Sequence, residues 1–117
     1  MRSIVAFALA AGTLTLPTTL LADDPAAGAA AWIKEYPAPD GSEPRRCATC
    51  HGRDLTQTGR QAATGKPIEP MAPSVNPQRF TDPEKVEKWF RRNCHWTMGR
   101  ACTPAEKADF LSYLKAQ

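Results

Sequence analysis

A chain of 117 residues has room for one domain, and its 42% apolar content gives that domain only a modest core. The net charge of +3 comes from 15 basic and 12 acidic residues that are interleaved along the chain, which is no nucleic-acid footprint. Met1 and Arg2 form a short positive start. Ile4 to Leu16 is an apolar stretch too short to span a bilayer and suited to the h-region of a signal peptide. Cleavage is expected after Ala22, with Leu20 and Ala22 at the third and first positions before the cut; an uncleaved anchor is the alternative. The expected organisation is a signal peptide over 1–22 and one domain over 23–117. The mature chain would carry a charge of +2, no integral membrane segment, and all four cysteines into an oxidising compartment, the bacterial periplasm.

Asp24 as cap and Pro25 in the first turn start a helix expected to run from Ala26 to Tyr36, with Gly28 and Trp32 on one face. Pro37, Pro39, Asp40-Gly41 and Pro44 then impose a loop. A short polar helix or turn is expected near Arg53 to Ala63. Five prolines between Gly65 and Pro83 rule out regular helix or central strand, so Lys66 to Phe80 reads as a stiff extended loop. Thr81-Asp82-Pro83-Glu84 reads as a capping box opening a helix to about Arg92, with Val86, Trp89 and Phe90 on its apolar face. Thr103-Pro104-Ala105-Glu106 repeats the signal for a last helix that buries Phe110, Leu111 and Leu114. The pattern is all-α with long loops, and nothing in it supports a sheet.

Cys47-Ala48-Thr49-Cys50-His51 carries the chemistry. Two thiols separated by two residues can add across the vinyl groups on one edge of a porphyrin, and the next histidine then reaches the iron from one face. Cys-x-x-Cys-His is the c-haem signature. A thioredoxin-type dithiol would need a βαβ context, which is absent. A zinc site would need a second ligand pair, and adjacent Cys94 and His95 make a poor one for a tetrahedral ion. One covalent haem c on Cys47 and Cys50, with His51 as proximal ligand, is the expected centre. Small class I cytochromes c cross an N-terminal helix over a C-terminal one beside a glycine. Gly28 and Trp32 against Phe110, Tyr113 and Leu114 resemble that arrangement, although they also suit the core of any helical domain.

The distal ligand separates an electron carrier from a ligand-binding protein. Asn93, His95 and Met98 lie 42, 44 and 47 residues past His51, in the stretch where small class I cytochromes c place that ligand; Met71, at 20, falls short of it. Ligand chemistry alone ranks His95 first, then Met98, then Asn93, because neutral amides are poor iron ligands. Cys94 and Cys102 enclose seven residues including Gly99, so a disulfide is sterically easy, with two free thiols as the alternative.

Resemblance reverses the ranking. Gly65-Lys66-Pro67-Ile68-Glu69-Pro70-Met71-Ala72-Pro73-Ser74-Val75-Asn76-Pro77, then Arg79-Phe80-Thr81-Asp82, then Val86-Glu87-Lys88-Trp89-Phe90-Arg91-Arg92-Asn93-Cys94, closely resembles the sphaeroides haem protein family. These are small, exported, oxygen-binding cytochromes c, and the match covers most of the chain from Arg46 to Leu114. The resemblance implies that Asn93 is the sixth ligand of the oxidised haem, that Cys94 pairs with Cys102, and that a dihaem cytochrome c is the electron donor. A hard, weak-field amide oxygen suits ferric iron and is readily lost from the softer ferrous state. Reduction would then open a site for O₂ or NO.

Among the other marked residues, Met71 is expected to pack on the haem edge. Arg60, Lys66 and Arg79 are candidates for propionate contact against a reading as solvated charges. Trp89 is assigned to the core first. Arg45, Arg46 and Arg53 bracket the attachment site, either as a steering patch for an acidic redox partner or as an ordinary solvated cluster. The expected whole is an all-α, class I cytochrome c-like domain that binds a small diatomic ligand and exchanges electrons with a partner protein. A plain electron shuttle with Met98 or His95 as permanent ligand is the runner-up, and oxygen- or NO-linked turnover as an enzyme is a third possibility.

Overall fold

The structure, a computed structural model, describes residues 23–117; the expected signal peptide lies outside them. Four helices carry the fold: α1 (Pro25–Ile33), α2 (Ala48–His51), α3 (Pro83–Met98) and α4 (Pro104–Lys115), with two-residue strands β1 (Gly59–Arg60) and β2 (Pro67–Ile68) between α2 and α3. No helix among the described residues is long and apolar enough to cross a membrane.

Each long helix starts where its cap places it. Asp24 accepts from the amides of Ala26 and Ala27 at 2.8 and 3.1 Å, with Pro25 in the first turn. The helix stops at Ile33, short of the expected Tyr36. Tyr36 precedes a proline, which disfavours helical geometry, and it pairs with Arg45 instead through two backbone hydrogen bonds of 2.8 Å. The α4 capping box is present as expected: Glu106 N–H donates to Thr103 Oγ1 at 3.2 Å, and Thr103 N–H donates to Glu106 Oε2 at 2.8 Å.

At α3 the cap is Asp82, one residue later than expected. It accepts from the amides of Glu84 and Lys85, while the Thr81 hydroxyl donates to the Gln78 carbonyl. This helix also runs on to Met98 instead of ending near Arg92. No breaker intervenes before Gly99, which turns left-handed (φ +71°) and returns its N–H to the His95 carbonyl at 2.9 Å. Asn93 and Cys94 therefore sit inside a helix and not in a loop beyond it.

The expectation of no sheet is corrected in a small way. β1 and β2 form an antiparallel pair, Gly59 opposite Ile68 and Arg60 opposite Pro67, within the stretch read as turn and loop. Gly59 has its place because any Cβ there would run into the Cys50 carbonyl and lie 3.0 Å from the His51 Cα. The hairpin thus leans directly on the Cys-x-x-Cys-His segment.

α1 crosses α4 at Gly28. A Cβ on Gly28 would collide with the Asp109 carbonyl and lie 2.8 Å from the Tyr113 Cβ, so the two backbones touch where the glycine is. Trp32, one turn on, packs its ring against Phe110 and Tyr113 with centroids 6.3 and 6.2 Å apart. Leu55, Ala72, Cys94, Cys102 and Leu114 complete the buried core.

Candidate haem site

α2 is a single turn, and its last residue, His51, is followed by Gly52 with a positive φ of 77°. Trp32 reaches across from α1 and donates its indole N–H to the Gly52 carbonyl at 3.0 Å. That bond fixes the exit of the attachment turn, as the Gly59 contact fixes its flank.

The turn opens onto a cavity of about 670 Å³. Cys47, Cys50 and His51 line it, together with Trp32, Phe110 and Leu114 from the α1–α4 crossing. The proline-rich segment contributes Ile68, Met71 and Phe80, and α3 contributes Val86, Phe90, Asn93 and Thr97 at helical spacing. These apolar side chains share the lining with charged ones, among them Arg46, Glu69, Arg79, Asp82, Lys85 and Arg92, a mixture that suits a large planar cofactor with an apolar face and ionised substituents.

The chemistry of the lining discriminates among cofactors. His51 is half-buried and open toward the cavity. Desolvation, helped by the nearby charge of Arg79, holds its imidazole down to about 4, so it is neutral and able to give a lone pair to a metal. Its Nδ1 is buried without a hydrogen-bond partner. An unpaired buried polar atom costs about 1–3 kcal/mol, an expense tolerated at sites that a metal or cofactor completes. Burial pushes the Cys47 thiol up to about 12, with the neighbouring Cys50 adding to the shift. A redox dithiol needs the opposite, a lowered pKa. Cys47 and Cys50 are not joined to each other, and among the described residues no group of three or more His, Cys, Asp or Glu could hold a metal ion unaided. The raised Cys47 thiol is the opposite of what a thioredoxin-like dithiol needs, and an iron already held in a porphyrin asks only for axial ligands.

The structure separates the three distal candidates. Asn93 and Met98 line the cavity and His95 does not; Asn93 and His95 are both exposed, and Met98 is half-buried. Two residues apart on a helix, Asn93 and His95 point to different sides. Of the three, Asn93 and Met98 share the cavity with His51. Cys94 and Cys102 lie with Cα atoms 5.6 Å apart and their sulfurs at bonding distance, and Met98 Sδ is 3.9 Å from Cys102 Sγ.

Of the three cations considered for propionate contact, only Arg79 lines the cavity, and it donates to the Pro70 and Glu69 carbonyls. Arg60 instead donates to the Gly65 carbonyl. Trp89 is 44% exposed at the cavity edge and not a core residue, with the Arg92 guanidinium 5.3 Å from its ring centroid. Arg45 and Arg46 are not a free basic patch: they pair with Asp40 and Glu35. Thr97 and Trp96 escaped the sequence reading. The spacing of Val86, Phe90, Asn93 and Thr97 would have found Thr97 had the helix been carried past Arg92.

Fold and site together define a cytochrome c, and its cofactor is haem c. The chain belongs to the family described as "Domain of unknown function (DUF1924)", which it matches over residues 19–114. It is 59% identical over 71 residues to the cytochrome c-type protein SHP of Cereibacter sphaeroides, a match covering 61% of this chain and 54% of that protein. It is 43% identical over 81 residues to cytochrome c'' of Methylophilus methylotrophus, covering 69% and 56%. The chain thus spans about half the length of these relatives. The structure of oxidised SHP, described as an oxygen-binding cytochrome c, superposes with a TM-score of 0.73 at 49% identity, covering 80% of this chain and 82% of that one. Oxidised cytochrome c'' superposes with a TM-score of 0.71 at 39% identity, covering 80% and 75%. A solution structure of the same cytochrome c'' addresses haem-ligand detachment.

Proposed function

We propose that this chain is an exported, periplasmic monohaem cytochrome c whose distal ligand is lost on reduction, so that it binds O₂- or NO-type ligands and exchanges electrons with a partner protein. Cys47 and Cys50 would form the thioethers, His51 the proximal bond, and Asn93 the distal bond of the ferric state. Residues 1–22 would serve as the export signal, and Cys94 and Cys102 would form a disulfide. Bound haem supplies one-electron redox chemistry and an axial position for small ligands.

The observation that carries the reading is that Asn93 lines the same cavity as His51 while His95 stays outside it. Its placement on α3 puts a neutral side chain with a hard oxygen donor on the lining of that cavity, and no histidine besides His51 lines it. The oxygen binding attributed to SHP and the ligand detachment studied in cytochrome c'' agree with a labile distal position.

The partner surface is better read on α3 than around the attachment turn. Lys85, Lys88, Trp89 and Arg92 share one exposed stripe of that helix, and none of the ion pairs among the described residues involves its three cations. Lys85, Trp89 and Arg92 also border the cavity, so an acidic partner attracted to the stripe would approach the haem. By family resemblance a dihaem cytochrome c is the donor.

One further observation favours a second reading: Met98 also lines the cavity, and as a permanent ligand it would make the chain a plain electron shuttle. Optical spectra of both oxidation states, with electron paramagnetic resonance of the ferric state, decide between them. A high-spin, five-coordinate reduced protein that binds CO rapidly supports the proposal; a low-spin, CO-inert reduced protein overturns it in favour of Met98.

A further inference from the structure

The loop between α1 and α2 does more than lead into the attachment turn. Arg45, two residues before Cys47, lays its guanidinium over the Trp96 ring with the Cζ 4.3 Å from the ring centroid. Its Nη1 donates to the Trp96 carbonyl at 2.8 Å. That carbonyl is among the last four of α3, which have no partner within the helix, and a positive charge at this end also complements the helix dipole. The guanidinium is itself held: Nη2 bonds Asp40 and Ser42, and the Arg45 backbone is fixed against Tyr36. Ser42 chiefly, with Arg45 adding to it, keeps the Asp40 carboxyl down at about 2, so the anchor stays charged. The same loop meets α3 again at its cap, where Pro39 sits close enough that a Cβ on Gly99 would lie 2.8 Å from it. With a side chain only 14% exposed, Arg45 is no solvated surface charge.

We infer that Arg45 is a positioning residue for the distal ligand: by clasping the last turn of α3 to the chain that enters the attachment site, it sets how firmly Asn93 is held over the haem. The inference rests on the reading of Asn93 as ferric ligand. Asn93 lies three residues before Trp96, on the neighbouring part of the helix surface, so any tilt or fraying of the last turn is felt by its amide. The proximal and distal sides of the site would then be joined through one side chain, and not only through the cofactor.

The test is stopped-flow binding of imidazole to the oxidised holoprotein, where entry requires Asn93 to leave, combined with hydrogen exchange at the Gly99 amide. Arg45→Gln should accelerate imidazole binding about tenfold, within the range of a lost charge-assisted hydrogen bond, and speed Gly99 exchange. Arg45→Lys should restore part of the wild-type rate. Asp40→Asn, a milder change on the surface, should move both readouts the same way by less. Asn93→Ala should bind imidazole fast, and adding Arg45→Gln to it should change nothing further. If Asn93→Ala is fast while Arg45→Gln behaves as wild type, or if Arg45→Gln accelerates binding equally in the Asn93→Ala background, the positioning role is overturned and the ligand reading stands. If Asn93→Ala binds at the wild-type rate, the ligand reading itself fails and the role given to Arg45 falls with it.

Discussion

Trp32 holds the attachment turn from the preceding helix: its indole Nε1 donates to the Gly52 carbonyl at 3.0 Å, and its ring lies 5.4 Å from that of His51, tilted by 39°. The indole is 4% exposed and the Gly52 carbonyl half-buried, so the donor at least is kept from water. Trp32→Phe would keep most of the apolar area and remove the donor. It is expected to lower holoprotein stability by about 1–3 kcal/mol, the cost of an unsatisfied buried acceptor, measured as a drop in thermal midpoint. An unchanged midpoint would mean that water reaches the Gly52 carbonyl.

Gly28 tests the α1–α4 crossing. Gly28→Ala would place a methyl group against the Asp109 carbonyl and the Tyr113 Cβ, forcing the helices apart. Overpacking of this kind costs typically about 1–3 kcal/mol. Guanidinium unfolding should show the loss as a lower midpoint, even though alanine is the better helix former.

Glu106 makes stability depend on pH in a definite direction. Arg100 bonds its carboxylate at 2.7 and 2.8 Å, and with the Thr103 amide these contacts hold it down to about 2 from an ordinary 4.5. A carboxyl whose folded pKa is depressed stabilises the fold fully above the unfolded pKa, and that contribution is lost as pH falls through the folded one. Wild type should therefore exceed Glu106→Gln in stability at neutral pH, and the gap should close between about pH 4.5 and pH 2. Parallel curves across that window would mean the ion pair adds nothing.

Much of this was legible in sequence because the signals are local. Asp24-Pro25 and Thr103-Pro104-Ala105-Glu106 are each complete within a few residues and open helices where expected, and Cys47-Ala48-Thr49-Cys50-His51 is equally local. What escaped depends on distant partners. Tyr36 left α1 to pair with Arg45, and Arg45 found Trp96 at a separation of 51 residues. The helix expected to end near Arg92 runs on to Met98 because no breaker comes before Gly99, and Cys94 is a buried helix residue facing Cys102. His95 shows the consequence for the site: ligand chemistry favoured it, and the phase of a helix longer than expected carried it to the outside.

The expected Cys94–Cys102 bridge joins the penultimate turn of α3 to the residue before the α4 cap. Closing a loop of eight residues is worth roughly 2–3 kcal/mol in chain entropy at best. Air-exposed holoprotein should show no titratable thiol, and the Cys94→Ala, Cys102→Ala double variant should unfold at lower temperature. Detection of two free thiols in the folded protein would remove the bridge from the account.

The distal assignment is tested by three single variants. Asn93 and Met98 line the cavity from the last three turns of α3, whereas His95 is turned to solvent. Asn93→Ala should retain the covalent haem and the fold but change the ferric spectrum, because an amide oxygen that reaches the iron sets its spin state. His95→Ala should leave both oxidation states unaltered, since moving an exposed imidazole to the iron would require α3 to rotate against the buried Cys94 and Thr97. Met98→Leu keeps the side-chain volume and removes the sulfur, so it separates packing from ligation. A ferric spectrum unchanged in Asn93→Ala and altered in Met98→Leu would make Met98 the permanent ligand, and with a strong-field sulfur always in place the chain would carry electrons without opening a site for O₂ or NO.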